Sequence, residues 1–189
     1  AADVNGNSLD AAVAWEFTTL TPSDSFSIFP DTVTPASAPF PDTADYDLGV
    51  KFQSSVPGKI KGIRFHRGPN SGSGPFVGNL WSANGTHLGA TPGYIGGSPG
   101  WQVALFDDPI EIEANTTYIA SYYTPNGGYS HSPGAFAAPV TNGVLTALQT
   151  TVGAPNGVFR ESGGFPNEGA GGANYWVDVV FEPIGPDTD

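Results

Sequence analysis

Cysteine and methionine are both absent from the 189 residues. Lack of cysteine excludes structural disulfides, thiolate metal sites and a cysteine nucleophile, and it fits an exported protein. Basic side chains are scarce, with 6 Lys and Arg against 18 Asp and Glu, so the formal charge is −12. A field of that sign repels phosphate backbones and anionic lipid surfaces, which sets aside nucleic-acid binding and membrane binding. No apolar run approaches the ~20 residues of a membrane span. No signal peptide is visible and residue 1 is not Met, so the chain is expected to be a processed or excised piece. A sustained 3.6-residue period is missing too, with "PVTNGVLTALQTT" the one place where a helical turn could hide.

What the chain has in quantity is glycine (26) and proline (18), and these punctuate aromatic and β-branched runs. That is the texture of an all-β domain with many turns, and its length allows a self-sufficient core. In "YDLGVKFQSS" the residues Leu48, Val50 and Phe52 share one parity. In "GKIKGIRFHRG", Ile60, Gly62, Arg64 and His66 alternate with Lys61, Ile63, Phe65 and Arg67. "FVGNLWSANGTHLGAT" reads as two strands around an Asn84-Gly85 turn, with Leu80 inward and Asn79 and Trp81 outward. "GWQVALFDDPIEI" puts Trp101, Val103 and Leu105 on one face; with the latter two inward, Trp101 goes with them. "NTTYIASYYTP" separates Tyr118, Ala120 and Tyr122 from Ile119, Ser121 and Tyr123. In "NYWVDVVFEP", Tyr175, Val177, Val179 and Phe181 are read as inward, and Trp176 as outward beside Asp178. Seven to nine strands without an internal repeat predict an antiparallel β-sandwich of jelly-roll type.

Residues 1–19, "AADVNGNSLDAAVAWEFTT", resemble the last strand of a bacterial Ig-like domain, with Val13, Trp15 and Phe17 on one face; the alternative is a first strand of the main domain. Such an orphan strand must pair with an edge of its own sandwich or of another molecule. Residues 20–45 read as a proline-rich linker leading into the domain, with "FSIF" a short opening strand, 46–183 as the sandwich, and 184–189 as a tail. From about residue 26 to 183, "YDLGVKFQSSVPGKIKGIRFHRG", "GNLWSANGTHLGAT", "GWQVALFDDPIEIEANTTYIASYYTPNGGYS", "TNGVLTAL", "NGVFRESGGFP" and "NYWVDVVFEP" occur in order. Together they closely resemble the bacterial extracellular module known as domain of unknown function 4082. The resemblance implies an accessory domain of secreted or cell-surface multidomain proteins, beside Ig-like repeats and carbohydrate-active or oxidase-like enzymes. It supplies no catalytic residues.

The residues themselves offer three chemistries. Catalysis is the weakest, since His66, His87 and His131 stand in no nucleophile motif. The carboxylates Asp107, Asp108, Glu111, Glu113, Glu161 and Asp178 cannot be paired from sequence; no enzyme activity is expected. No cofactor is required, but a structural calcium is a candidate, with Asp42, Asp45 and Asp47 of "PDTADYD" the densest acidic cluster. Asp178 faces solvent by alternation with its valine neighbours, and if buried it would need partners.

The favoured chemistry is polysaccharide binding at the cell surface, with a structural spacer or adhesion module as the rival. Sugars require a flat exposed aromatic beside amides, carboxylates or Arg. The outward set comprises Trp81, Tyr123, Asn126, Tyr129, His131, Arg160 and Trp176. Several of these lie in "SYYTPNGGYSHSPGAF", residues 121–136, where Asn126-Gly127-Gly128 also suffices as a plain reverse turn.

Overall fold

The computed structural model describes residues 25–35, 40–69, 71–72 and 74–185. Among these, eleven strands and no helix form: β1 (Tyr46–Ser54), β2 (Gly58–Arg67), β3 (Val77–Ser82), β4 (His87–Ala90), β5 (Gly100–Ile112), β6 (Tyr118–Thr124), β7 (Val140–Asn142), β8 (Leu145–Ala147), β9 (Val158–Glu161), β10 (Glu168–Gly169) and β11 (Val177–Pro183). The larger sheet runs β10-β9-β1-β6-β3-β4. One edge of β1 is shared: β9 pairs with Tyr46–Gly49, and the β7–β8 hairpin is joined through β8 to Phe52–Ser54. The smaller sheet is β11-β2-β5, antiparallel throughout.

Alternation explains why these sheets pack face to face. Leu48, Val50 and Phe52 of β1 and Tyr118, Ala120 and Tyr122 of β6 bury one face of the large sheet. Ile60, Ile63 and Phe65 of β2 meet them from the small sheet, with Val177, Val179 and Phe181 of β11. A register shift between Ile60 and Gly62 lets Ile60 and Ile63 face the same core although their parities differ. Phe65 lies flat on Tyr122, with centroids 4.6 Å apart and planes 10° from parallel. Each such buried side chain stabilises the sandwich by ~1.5–3 kcal/mol. The expected all-β antiparallel sandwich is therefore the fold.

Three expectations are corrected. "PVTNGVLTALQTT" holds no helical turn; it forms the β7–β8 hairpin, reversed at Gly143 with φ 57°. On β5 it is Ala104 and Phe106 that enter the core, while Val103 and Leu105 are 45% and 56% exposed. Trp101, of the same parity, goes to the outer face of the small sheet, opposite His66.

The outer face of the small sheet is not solvated where Trp176 and Asp178 lie, and this is the third correction. Parity is right for both, but residues 25–33 cross over them as an extra layer. Phe26 makes a two-bond backbone bridge with Phe181, and the amides of Ile28 and Phe29 donate to the Asp178 carboxylate at 2.7 and 3.0 Å. Arg64 closes the layer, 3.6 Å from Asp178, 2.5 Å from Asp31 and 4.4 Å from the Trp101 centroid. Phe29 packs on Trp101 and Trp176 at 6.3 and 5.5 Å, leaving Trp176 6% exposed. "FSIF" thus docks as part of the body. The Ig-like reading of residues 1–19 lies outside the described residues.

Candidate functional site

At one end of the sandwich the core opens into a cavity of about 210 Å³, lined by Phe40, Asp42, Tyr46, Tyr129, His131 and Tyr175, with Phe159 and Ala170. Tyr46 continues the inward parity of Leu48, Val50 and Phe52, so it is the last core residue of β1. Phe159 stands opposite Leu48 on the neighbouring β9. Tyr175 comes from the segment just before β11, and Tyr129 from the loop after β6. These four rings make a closed circuit. Tyr46–Tyr129, Tyr129–Tyr175, Tyr175–Phe159 and Phe159–Tyr46 have centroids 5.7, 5.7, 6.4 and 6.1 Å apart and planes 79°, 75°, 72° and 74° from parallel. Phe40 stacks on Tyr129 at 5.6 Å and 21°, reaches the His131 ring at 5.3 Å, and is 43% exposed. It is the outer wall.

Backbone hydrogen bonds fix the three segments that carry these rings. The Phe40 amide donates to the Tyr129 carbonyl at 2.9 Å, and the Gly128 amide to the Asp42 carbonyl at 3.0 Å. Ser132 and Asn174 exchange two bonds at 2.8 and 2.9 Å. The Asn126-Gly127-Gly128 turn belongs to this arrangement. Gly127 has φ 58°, and a Cβ there would lie 2.0 Å from the Asp42 carbonyl oxygen. Only glycine allows the loop to approach residues 42–45 so closely.

The cavity is electrically negative. The Asp42 carboxylate accepts from the Ala44 amide at 3.0 Å and the Tyr46 hydroxyl at 2.9 Å, and the Ala44 bond chiefly holds its pKa below the usual carboxylate value. Burial, then the bond to Asp42 and the charges of Asp42 and Glu161, push the Tyr46 phenol up to about 12. Tyr175 is also pushed up to about 12, first by burial, and burial raises Tyr129 further. Burial lowers the pKa of the His131 imidazole from its ordinary value. Among the described residues no Lys or Arg lines the space.

Of the predicted ligand-binding residues, Tyr129 and His131 come together here. Trp81, Tyr123 and Asn126 lie elsewhere, on the outer side of the large sheet and its adjoining turn. The Trp81 indole donates to Ser121 at 2.9 Å and packs on His87 at 4.4 Å and on Phe165 at 5.7 Å. Tyr123 donates to Asp45 at 2.9 Å, and the Asn126 amide donates to the other oxygen of that carboxylate at 2.9 Å. Arg160 pairs with Glu168 at 3.3 Å on the neighbouring strand. Trp176 was expected outside and is covered, its indole donating to Ser132 at 3.0 Å.

The three clustered aspartates face three separate partner sets. Asp42 binds Ala44 and Tyr46, and Asp45 binds Tyr123 and Asn126. Asp47, buried and with its pKa raised chiefly by that burial, accepts from Asn79, Ser121 and the Gly164 amide. Among the described residues no three His, Asp or Glu side chains converge as a metal site. Serine, aspartate and histidine do share this network, but in the wrong order for nucleophilic catalysis. Ser121 donates directly to Asp47 at 3.1 Å, while the His87 ring meets Asn79 at 3.1 Å. Activating a serine needs the histidine on its hydroxyl.

Phe40, Tyr46, Phe159 and Tyr175 were not predicted as site residues. Tyr46 and Tyr175 carry core parity, and nothing in the sequence marks where the core opens. Phe40 did carry a signal: an aromatic between two prolines in "APFPDT" is held extended and cannot fold into a strand ladder.

Comparison with curated proteins finds no match. A family model described as domain of unknown function (DUF4082) matches residues 32–177, which include every residue lining the cavity. With that match extending over most of its length, this chain belongs to the DUF4082 family.

Proposed function

We propose that the domain is a non-catalytic binding module, secreted or displayed at the cell surface beside other domains, that takes one sugar ring of a polysaccharide into the aromatic cavity. The observation that carries this reading is the cavity's make-up. Apolar rings suit the C–H face of a sugar, and the Asp42 carboxylate lies in the lining as a polar group for its edge. Its volume of about 210 Å³ falls below the ~300–1,000 Å³ of sites for drug-sized ligands, which fits a single ring. Affinity in such a small, wet site is modest.

Affinity electrophoresis through gels containing soluble polysaccharides tests the reading. Wild-type protein is retarded by at least one polymer, and Phe40→Ala, which removes the exposed outer wall, migrates freely while keeping its melting temperature. Equal migration of both proteins in every gel would sink the proposal.

One observation favours the spacer reading instead. The rings of Trp81, Trp101 and Trp176 already pack on side chains of the domain: Trp81 on His87 and Phe165, Trp101 on Phe29 and Arg64, and Trp176 on Phe29.

A further inference from the structure

The four-ring circuit differs from a sugar platform in one respect. A neutral pyranose needs one or two roughly coplanar rings to stack on, but here neighbouring planes stand 72° to 79° apart. The rings pack edge to face on one another, and a small aromatic-lined space beside a carboxylate suits a compact cation. Asp42 adds a carboxylate to the lining. Glu161 stands opposite Tyr46 on β9, exposed at the same end. The Arg160 guanidinium is directed to Glu168. Among the described residues no Lys or Arg lines the cavity, and the chain carries −12 overall.

Building on the sugar-binding reading, we propose that the ring taken by this cavity carries a free, protonated amine: the ligand is a cationic amino sugar within a polysaccharide, its ammonium group held among Tyr46, Tyr129, Phe159 and Tyr175 and paired with Asp42. An acetylated amine loses the charge and presents a bulkier, neutral amide, so it forfeits both the π-face attraction and the ion pair. The whole-molecule charge draws a polycationic chain to the surface, and the cavity selects its amine.

Calorimetric titration in mildly acidic buffer, with three soluble oligomers of equal length, tests this. The probes are glucosamine with free amines, N-acetylglucosamine, and glucose. The free-amine oligomer is expected to bind about tenfold more tightly than the other two. Asp42→Asn keeps an oxygen for the Ala44 amide, and its NH2 can donate to the Tyr46 hydroxyl in place of the bond now accepted from it, so it should remove most of that preference with little change in melting temperature. Phe40→Ala should lose binding of the free-amine oligomer as well, which places that ligand at the cavity. Equal binding of all three oligomers, or binding of none, would overturn this inference; the sugar-binding reading itself stands or falls on the electrophoresis. A free-amine preference that survives Asp42→Asn and Phe40→Ala undiminished would mean attraction to the acidic surface at large, and would also overturn the inference.

Discussion

Gly127 shows how one residue connects the turn to the cavity. Its positive φ and the Asp42 carbonyl 2.0 Å from a hypothetical Cβ are two separate objections to any side chain there. Gly127→Ala should therefore lose about 3 kcal/mol in urea denaturation. Gly134 has a similar φ of 66° with open space around it, so Gly134→Ala should lose only ~1 kcal/mol. Equal losses would show that close approach to residues 42–45 is not what Gly127 provides. The sequence marked Asn126-Gly127-Gly128 as a turn correctly. It could not show that the turn exists to seat Tyr129 beside Phe40, because that contact joins segments some 90 residues apart in the chain.

Asp178 carries a second prediction at this scale. Burial pushes its carboxyl from 3.8 up to about 6, against the opposing pull of Arg64 and three backbone amides. A carboxyl with a raised folded value holds its proton more tightly in the native state. Its contribution is complete below 3.8 and is lost as pH rises through about 6, and buried Asp47 shifts in the same direction. The Asp178 contribution to unfolding free energy should fall across that window, by up to about 1.4 kcal/mol per pH unit. Asp178→Asn should flatten the fall. A stability difference between wild-type and Asp178→Asn that does not fall as pH rises across the window would contradict this assignment.

Among the elements, residues 25–33 make clearest what alternation can and cannot say. A period of two told which side of β11 each residue occupies, and Trp176 and Asp178 do share the outer side. It could not reveal that another segment covers that side. The covering is specific. Phe29 seals Trp101 and Trp176, and Asp178 accepts from the amides of Ile28 and Phe29. Phe29→Ala should lose about 3–5 kcal/mol and shift tryptophan emission to longer wavelength as both indoles meet water. An unshifted spectrum would mean that the layer is held by its polar bonds alone. β5 illustrates the complementary error. Val103 and Leu105 look like core residues by composition, but the alternating set that fits the core is Ala104 and Phe106. Hydrophobicity without a neighbour to set the register does not choose a face.

For the molecule as a whole, the sandwich is legible because inward apolar residues repeat regularly on β1 and β6. The site was half legible. Tyr129 and His131 were found from an aromatic loop, whereas Tyr46 and Tyr175 looked like ordinary core residues. In fact they are both, since the cavity is the open end of the core. The outer face of the large sheet, where Trp81 and Tyr123 were predicted to meet a ligand, is instead occupied by the Asp47 network and Phe165. Sequence shows which polar groups could bind a ligand, and only the fold shows which are already satisfied by one another.

The central claim is that the ring-lined cavity is where the domain meets its ligand. Chemical-shift mapping on isotope-labelled protein, titrated with free-amine glucosamine oligomers, addresses it directly. The account predicts saturable shifts concentrated at Phe40, Tyr46, Tyr129, His131 and Tyr175, with those near Trp81 and Arg160 unmoved. Saturable shifts centred on Trp81 or Arg160, or no saturable shifts anywhere, would contradict it.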